Sequence, residues 1–103
     1  MNVKRIAMLE KLIEEDPADP FLIYALALEY QVAEKEKARL LFDKLLTNYP
    51  DYLPTYYLAG NFFLEQNEVT HATEILQRGL ALAKEQNNRS TMREIQGLLD
   101  GLD

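Results

Sequence analysis

The chain repeats itself. Sliding its 103 residues along themselves pairs Ile23 with Tyr56, Leu26 with Ala59, Ala27 with Gly60 and Tyr30 with Phe63, each pair 33 positions apart. Ala38 then pairs with Ala72, Phe42 with Leu76 and Leu45 with Gly79, at a spacing of 34. Backwards, Leu9, Leu12 and Pro17 anticipate Phe42, Leu45 and Pro50, again by 33. A period of this length belongs to stacked supersecondary units, none of which can bury its apolar face alone.

Within each period the apolar spacing is helical. Leu, Ala, Glu, Lys and Gln fill most segments, and Val occurs only at Val3, Val32 and Val69. The pattern predicts an all-α fold of about six helices, over 3–15, 20–32, 35–48, 52–65, 69–86 and 91–101. Punctuation falls at Asp16-Pro17-Ala18-Asp19-Pro20, at Asn48-Tyr49-Pro50-Asp51, at Gln66-Asn67 and at Asn87-Asn88-Arg89-Ser90. Asp19 before Pro20 is a strong helix start, because the carboxylate caps free amides and proline suits the first helical position. Asp51 is the expected cap of the fourth helix, with Pro54 in its first turn. Thr91 with Glu94 is the expected capping box of the last. Between the second and third helices, Val32-Ala33-Glu34-Lys35-Glu36-Lys37 lacks glycine and favours helix. One continuous helix over 20–48 is therefore the alternative to a turn there.

Ile23-x-x-Leu26-Ala27-x-x-Tyr30 followed by Ala38-x-x-x-Phe42 and Pro50 resembles a tetratricopeptide repeat. So does Tyr56-x-x-Ala59-Gly60-x-x-Phe63 followed by Ala72-x-x-x-Leu76. The resemblance implies one domain over 1–103, an α-solenoid of antiparallel helix pairs. Residues 3–17 form an N-terminal half-repeat helix, 20–52 and 53–86 two full repeats, and 90–103 a capping helix. Met92, Ile95 and Leu99 reproduce the first-helix spacing in that last segment. The chain departs from the pattern at Leu45 and Gly79, which replace a small alanine late in the second helices and suggest looser packing. Lys84 replaces the closing proline of the second repeat.

Ala27 and Gly60 on the first helices, with Ala38 and Ala72 on the second, let paired helices approach closely. Tyr30, Phe63, Phe42 and Leu76 fill the remaining space. The resemblance also implies that partners bind on the concave surface made by the first helix of each repeat. Projected by the repeat offset, that surface carries four rows: Tyr24, Tyr57, Arg93 and Leu28, Asn61, Gly97, which are the most informative, then Phe21, Pro54, Ser90 and Gln31, Leu64, Asp100. Tyrosines offer apolar area with a polar tip, Asn61 a donor and an acceptor, and Arg93 a grip for a carboxylate. Equally, the tyrosines could only cover the groove floor. The several Lys, Asn and Arg of tetratricopeptide adaptors that hold acidic chaperone C-termini are mostly missing, since the matching places hold Tyr24, Leu28, Pro54 and Leu58.

Other chemistry is sparse. Eleven Lys and Arg against 17 Asp and Glu give a net charge of −6, which disfavours nucleic acid. With no Cys and the single His71, no thiolate, multi-histidine metal site or nucleophilic triad can be assembled, and no cofactor is expected. Glu14, Glu15, Asp16 and Asp19 read as a solvated acidic edge, His71 as a surface residue. No secretory signal or membrane span is seen, so a cytoplasmic setting and no membrane partner are expected. The expected function is a non-catalytic interaction module for a partner peptide or helix. The alternative is a homodimer using Leu22, Leu53, Leu58, Phe62 and the uncovered face of the first helix.

Overall fold

The computed structural model describes residues 1–102, and all of the regular structure among them is helical: α1 (Val3–Glu15), α2 (Pro20–Tyr30), α3 (Lys35–Asn48), α4 (Pro54–Glu65), α5 (Val69–Glu85) and α6 (Arg89–Asp100). Asp103, the last position of the expected capping segment, lies outside the described residues. The helices group into two compact units, Met1–Tyr52 and the remainder from Leu53.

In the first unit α2 packs against both α1 and α3. Asn2 caps α1 by accepting from the Arg5 N–H at 2.9 Å, and Asp19 caps α2 by accepting from the Phe21 N–H at 2.9 Å. Between α2 and α3 the chain turns. Glu34 sits at φ −131°, ψ 65°, and its N–H closes on the Tyr30 carbonyl at 2.8 Å. The continuous helix is thereby excluded, and α2 stops at Tyr30, two residues earlier than its pattern predicts. Ile6 and Leu9 of α1, Ile23, Leu26, Ala27 and Tyr30 of α2, and Ala38, Phe42, Leu45 and Leu46 of α3 are buried. Pro50 is exposed in the turn that follows. Glu29 of α2 accepts from Arg5 at 2.6 Å, and this bond is the main cause holding its carboxyl below the ordinary glutamate range.

In the second unit α5 packs between α4 and α6, and α4 also touches α6. Asp51 does not cap α4. Leu53 occupies that position without a side-chain bond, and Pro54 follows directly, its missing N–H leaving one donor fewer to satisfy. Helices α4 and α5 end alike. Asn67 (φ 62°) and Asn87 (φ 57°) turn left-handed, with Glu68 N–H on Phe63 O and Asn88 N–H on Ala83 O, both at 2.9 Å. Asn88 then caps α6, its Oδ1 accepting from the Thr91 N–H at 3.0 Å. Thr91 is thus inside the first turn and not the cap, and α6 starts two residues early.

Tyr56, Ala59, Gly60, Phe63, Ala72 and Leu76 are all buried. Phe63 meets Phe62 and the exposed His71 edge-on, at centroid distances of 5.2 and 4.4 Å. Two expectations fail here. Gly79 marks a tight crossing and not a loose one, since a Cβ on it would overlap Tyr56 Cβ and lie 3.0 Å from Ile95 Cδ1. Phe62 and Leu53, expected to face outward, are buried. Because α4 meets both α5 and α6, its buried arc is wider than one stripe and takes in Thr55 and Phe62 as well.

Candidate partner-binding faces

Helix α2 turns Ile23, Leu26, Ala27 and Tyr30 into the first unit, which leaves Leu28 on the solvent side at 45% exposure. Phe21, one i,i+7 step before Leu28, is 58% exposed and extends the same stripe. Tyr24 and Gln31 are half-buried. Tyr24 lies edge-on to Tyr52, with ring centroids 6.0 Å apart. Burial, then the neighbouring Tyr24 and Asp19, raise the Tyr52 phenol above its ordinary value, so it stays neutral and donor-competent. Phe21 belongs to the projected row Phe21, Pro54, Ser90, which is not among the expected groove residues. Its spacing to Leu28 was the available signal.

In the second unit Tyr57 is 36% exposed on α4, one residue after the buried Tyr56. Asn61 lies one turn further along the same face, half-buried, and its Nδ2 donates to Glu65 at 3.3 Å. Tyr57 and Asn61 are thus brought together as a pair. Arg93 is placed differently. It is exposed on α6 and lines a cavity of about 210 Å³ with Leu80 and Lys84 of α5 and with Met92 and Gln96. Gly97 opens onto empty space: among the described residues, nothing outside its own stretch of helix comes within 4 Å of where its Cβ would stand.

These faces are suited to apolar and hydrogen-bonding contact. Among the described residues no group of three or more His, Asp or Glu is arranged to hold a metal ion. Nor is any helix among them long and apolar enough to cross a membrane.

Solved structures resemble this one. The crystal structure of a tetratricopeptide repeat domain protein from Salinibacter ruber is 30% identical, covers 82% of this chain and 99% of its own, and superposes with a TM-score of 0.75. A solution NMR structure of a tetratricopeptide repeat domain protein from the same organism is 32% identical over 81% of this chain and 85% of its own, also with a TM-score of 0.75. A protein from Bordetella parapertussis, at 20% identity, shares the fold over 99% of this chain and 88% of its own, with a TM-score of 0.81. No protein-family model matches the chain, and no curated protein does.

Proposed function

The chain belongs to the tetratricopeptide repeat family, and on that footing we propose that it is a non-catalytic protein–protein interaction module. Its first helices receive an extended or helical segment of a partner protein. Each unit offers a contact face of its own: Phe21, Tyr24, Leu28 and Gln31 on α2 in the first, and Tyr57 and Asn61 on α4 in the second. The observation that carries this reading is the uncovered apolar surface of those helices, Phe21 and Leu28 above all. Large apolar and aromatic side chains with a polar neighbour are the usual anchors of a protein interface. The net charge of −6 supports a protein partner over nucleic acid.

Capture from a cell lysate with the tagged chain, read by mass spectrometry and followed by titration of the recovered partner, tests this. Tyr57→Ala or Leu28→Asp is expected to weaken capture by about 30-fold, the equivalent of ~2 kcal/mol for a central anchor. Lys44→Ala, on an exposed position of α3, should leave it unchanged. Equal recovery by all three variants and the wild type would refute the assignment of these faces.

A further inference from the structure

Along the seam of α5 and α6 run two cavities, of about 460 and 210 Å³, which share Leu80 and Gln96 and so make one solvent-open trough. Its apolar floor comes from Leu80, Met92, Leu99 and Leu102. Lys84 and Arg93 stand at one end, and Val69 and Asp100 at the other. From Val69 to Lys84 the trough is about 22 Å long, room for roughly four helical turns.

We propose that this trough takes α1 of a second copy of the chain, giving a head-to-tail contact between molecules. Three observations converge on that occupant. The first is register. Helix α1 repeats the second-helix pattern of α3, so its Met8 and Leu12 correspond to Leu41 and Leu45. Leu45 is fully buried, whereas Met8 is 56% and Leu12 37% exposed, although Ile6 and Leu9 beside them are buried. The side of α1 that would meet a first helix is therefore uncovered.

The second is the place of the trough. Helix α6 repeats the first-helix pattern, and among the described residues no second helix follows it. In the second unit Gly60 and Leu76 form the close contact of a first and a second helix, as the Cβ test at Gly60 shows. Carrying that contact forward by the repeat offset sets Gln96 opposite Leu9 of the incoming α1, and Met92 opposite its Leu12.

The third is charge. Repeat geometry makes successive second helices parallel, so the incoming α1 must run from the Asp100 end of the trough to the Lys84 end. Helix α1 opens with Lys4 and Arg5 and closes with Glu14, Glu15 and Asp16. In that direction its basic start meets Asp100 and its acidic end meets Lys84 and Arg93. The orientation demanded by the repeat is the one the charges favour.

Gln96 and Arg5 stand where the internal pairs carry Gly60 and Ala72, so the incoming helix rides further out than an internal one. The contact is weak. It is also heterologous, joining α1 of one copy to the α5–α6 trough of another.

Sedimentation velocity across a wide concentration range tests this. The average mass should climb above the monomer's 11.9 kDa as concentration rises, and high salt should suppress the climb. Met8→Asp blocks α1, and the double variant Lys84→Glu/Arg93→Glu blocks the trough; all three side chains are exposed. Each variant alone should stay monomeric, while an equimolar mixture should form a one-to-one dimer and nothing larger. In the wild type, NMR shifts on dilution should move on α1 and on α5 and α6. A wild type monomeric throughout, with shifts unmoved, would leave the trough to some other occupant and overturn the proposal. So would variants that associate like the wild type, or a mixture that fails to pair. None of these substitutions touches the residues altered in the capture experiment, so each reading can fail alone.

Discussion

Three glycines lie inside helices of the second unit, and each replacement by alanine brings the same gain in helix propensity, about 1 kcal/mol. What differs is the space for one methyl group. At Gly97 nothing among the described residues outside its own stretch of helix comes within 4 Å, so Gly97→Ala should keep the whole gain. At Gly60 the new Cβ would stand 2.6 Å from Leu76 Cγ and closer still to Cδ2. Favourable carbon contacts begin at ~3.5 Å, so Leu76 must retreat by ~1.2 Å at its closest atom. Leu76 is itself fully buried and has little room to do so. At Gly79 the new atom would overlap Tyr56 Cβ, which is rooted on α4, while also pressing on Ile95 Cδ1 from α6. Relief there requires a helix to move.

Overpacking costs about 1–3 kcal/mol, with Gly60 at the lower end because its obstacle is a side chain and Gly79 at the upper. Subtracting the common gain leaves Gly97→Ala stabilising by ~1 kcal/mol, Gly60→Ala near neutral or destabilising by up to ~1, and Gly79→Ala destabilising by ~2. On a domain of this size ~1 kcal/mol moves the Tm by roughly 4–8 °C. Thermal melts and urea titrations followed by far-UV circular dichroism resolve such differences. In a double-mutant cycle, Leu76→Ala should remove most of the penalty of Gly60→Ala, because the pair shares one volume. If Gly79→Ala stabilises as much as Gly97→Ala, the tight crossing of α5 with α4 and α6 is wrong. Additivity of Gly60→Ala with Leu76→Ala would equally remove the α4–α5 contact from the account.

Two further outcomes are expected. Thr55 is fully buried and its hydroxyl has no hydrogen-bond partner among the described residues; Thr55→Val should therefore raise stability in urea by ~1 kcal/mol, and a loss would show that the hydroxyl is satisfied in solution. Glu29 has a folded-state pKa held below the ordinary 4.5 by Arg5, so its contribution is present above that value and disappears as pH falls through the folded one. Arg5→Gln should accordingly lower the Tm at neutral pH, with the gap to wild type closing in acid; a gap that stays constant with pH would show that the ion pair plays no part.

Helix existence was legible wherever proline and a capping side chain coincide. Asp19-Pro20 fixes the start of α2, and the extents of α1 and α3 match their patterns. The start of α6 was not, because Asn88 and Thr91 are both competent caps and only geometry shows which oxygen accepts from which amide. Gly79 was misjudged for a different reason. A glycine in a helix has the same sequence signature whether its neighbour is far or touching, and here the decisive atom belongs to Tyr56, 23 positions away. Phe62 was placed outside because one helical stripe was assigned to α4, whereas a helix touching two others buries more than one stripe. On the binding faces, the position of Tyr57 one residue past the core was readable. The partial burial of Tyr24 depends on Tyr52, beyond the reach of helical periodicity.

The distribution of charge joins the packing of these helices to what they are for. Helix α3 carries Lys35, Glu36, Lys37, Arg39, Asp43 and Lys44, and α5 carries Glu74, Arg78, Lys84 and Glu85. Such helices can turn a face to water without loss. Helix α2 has Glu29 alone, engaged with Arg5, and α4 has Glu65 alone, engaged with Asn61. Packing needs account for Ile23, Leu26, Ala27 and Tyr30, and for their counterparts on α4, but they give no reason for Phe21 and Leu28 to be apolar. A lysine at either position could lay its methylenes over the partly covered surface and would improve solvation. Exposed apolar residues also occur on second helices, Leu40 on α3 and Val69 on α5, but those helices are rich in charge, whereas Phe21 and Leu28 share a face of α2 that carries none. That asymmetry is what a surface reserved for another chain requires, and stability alone does not produce it.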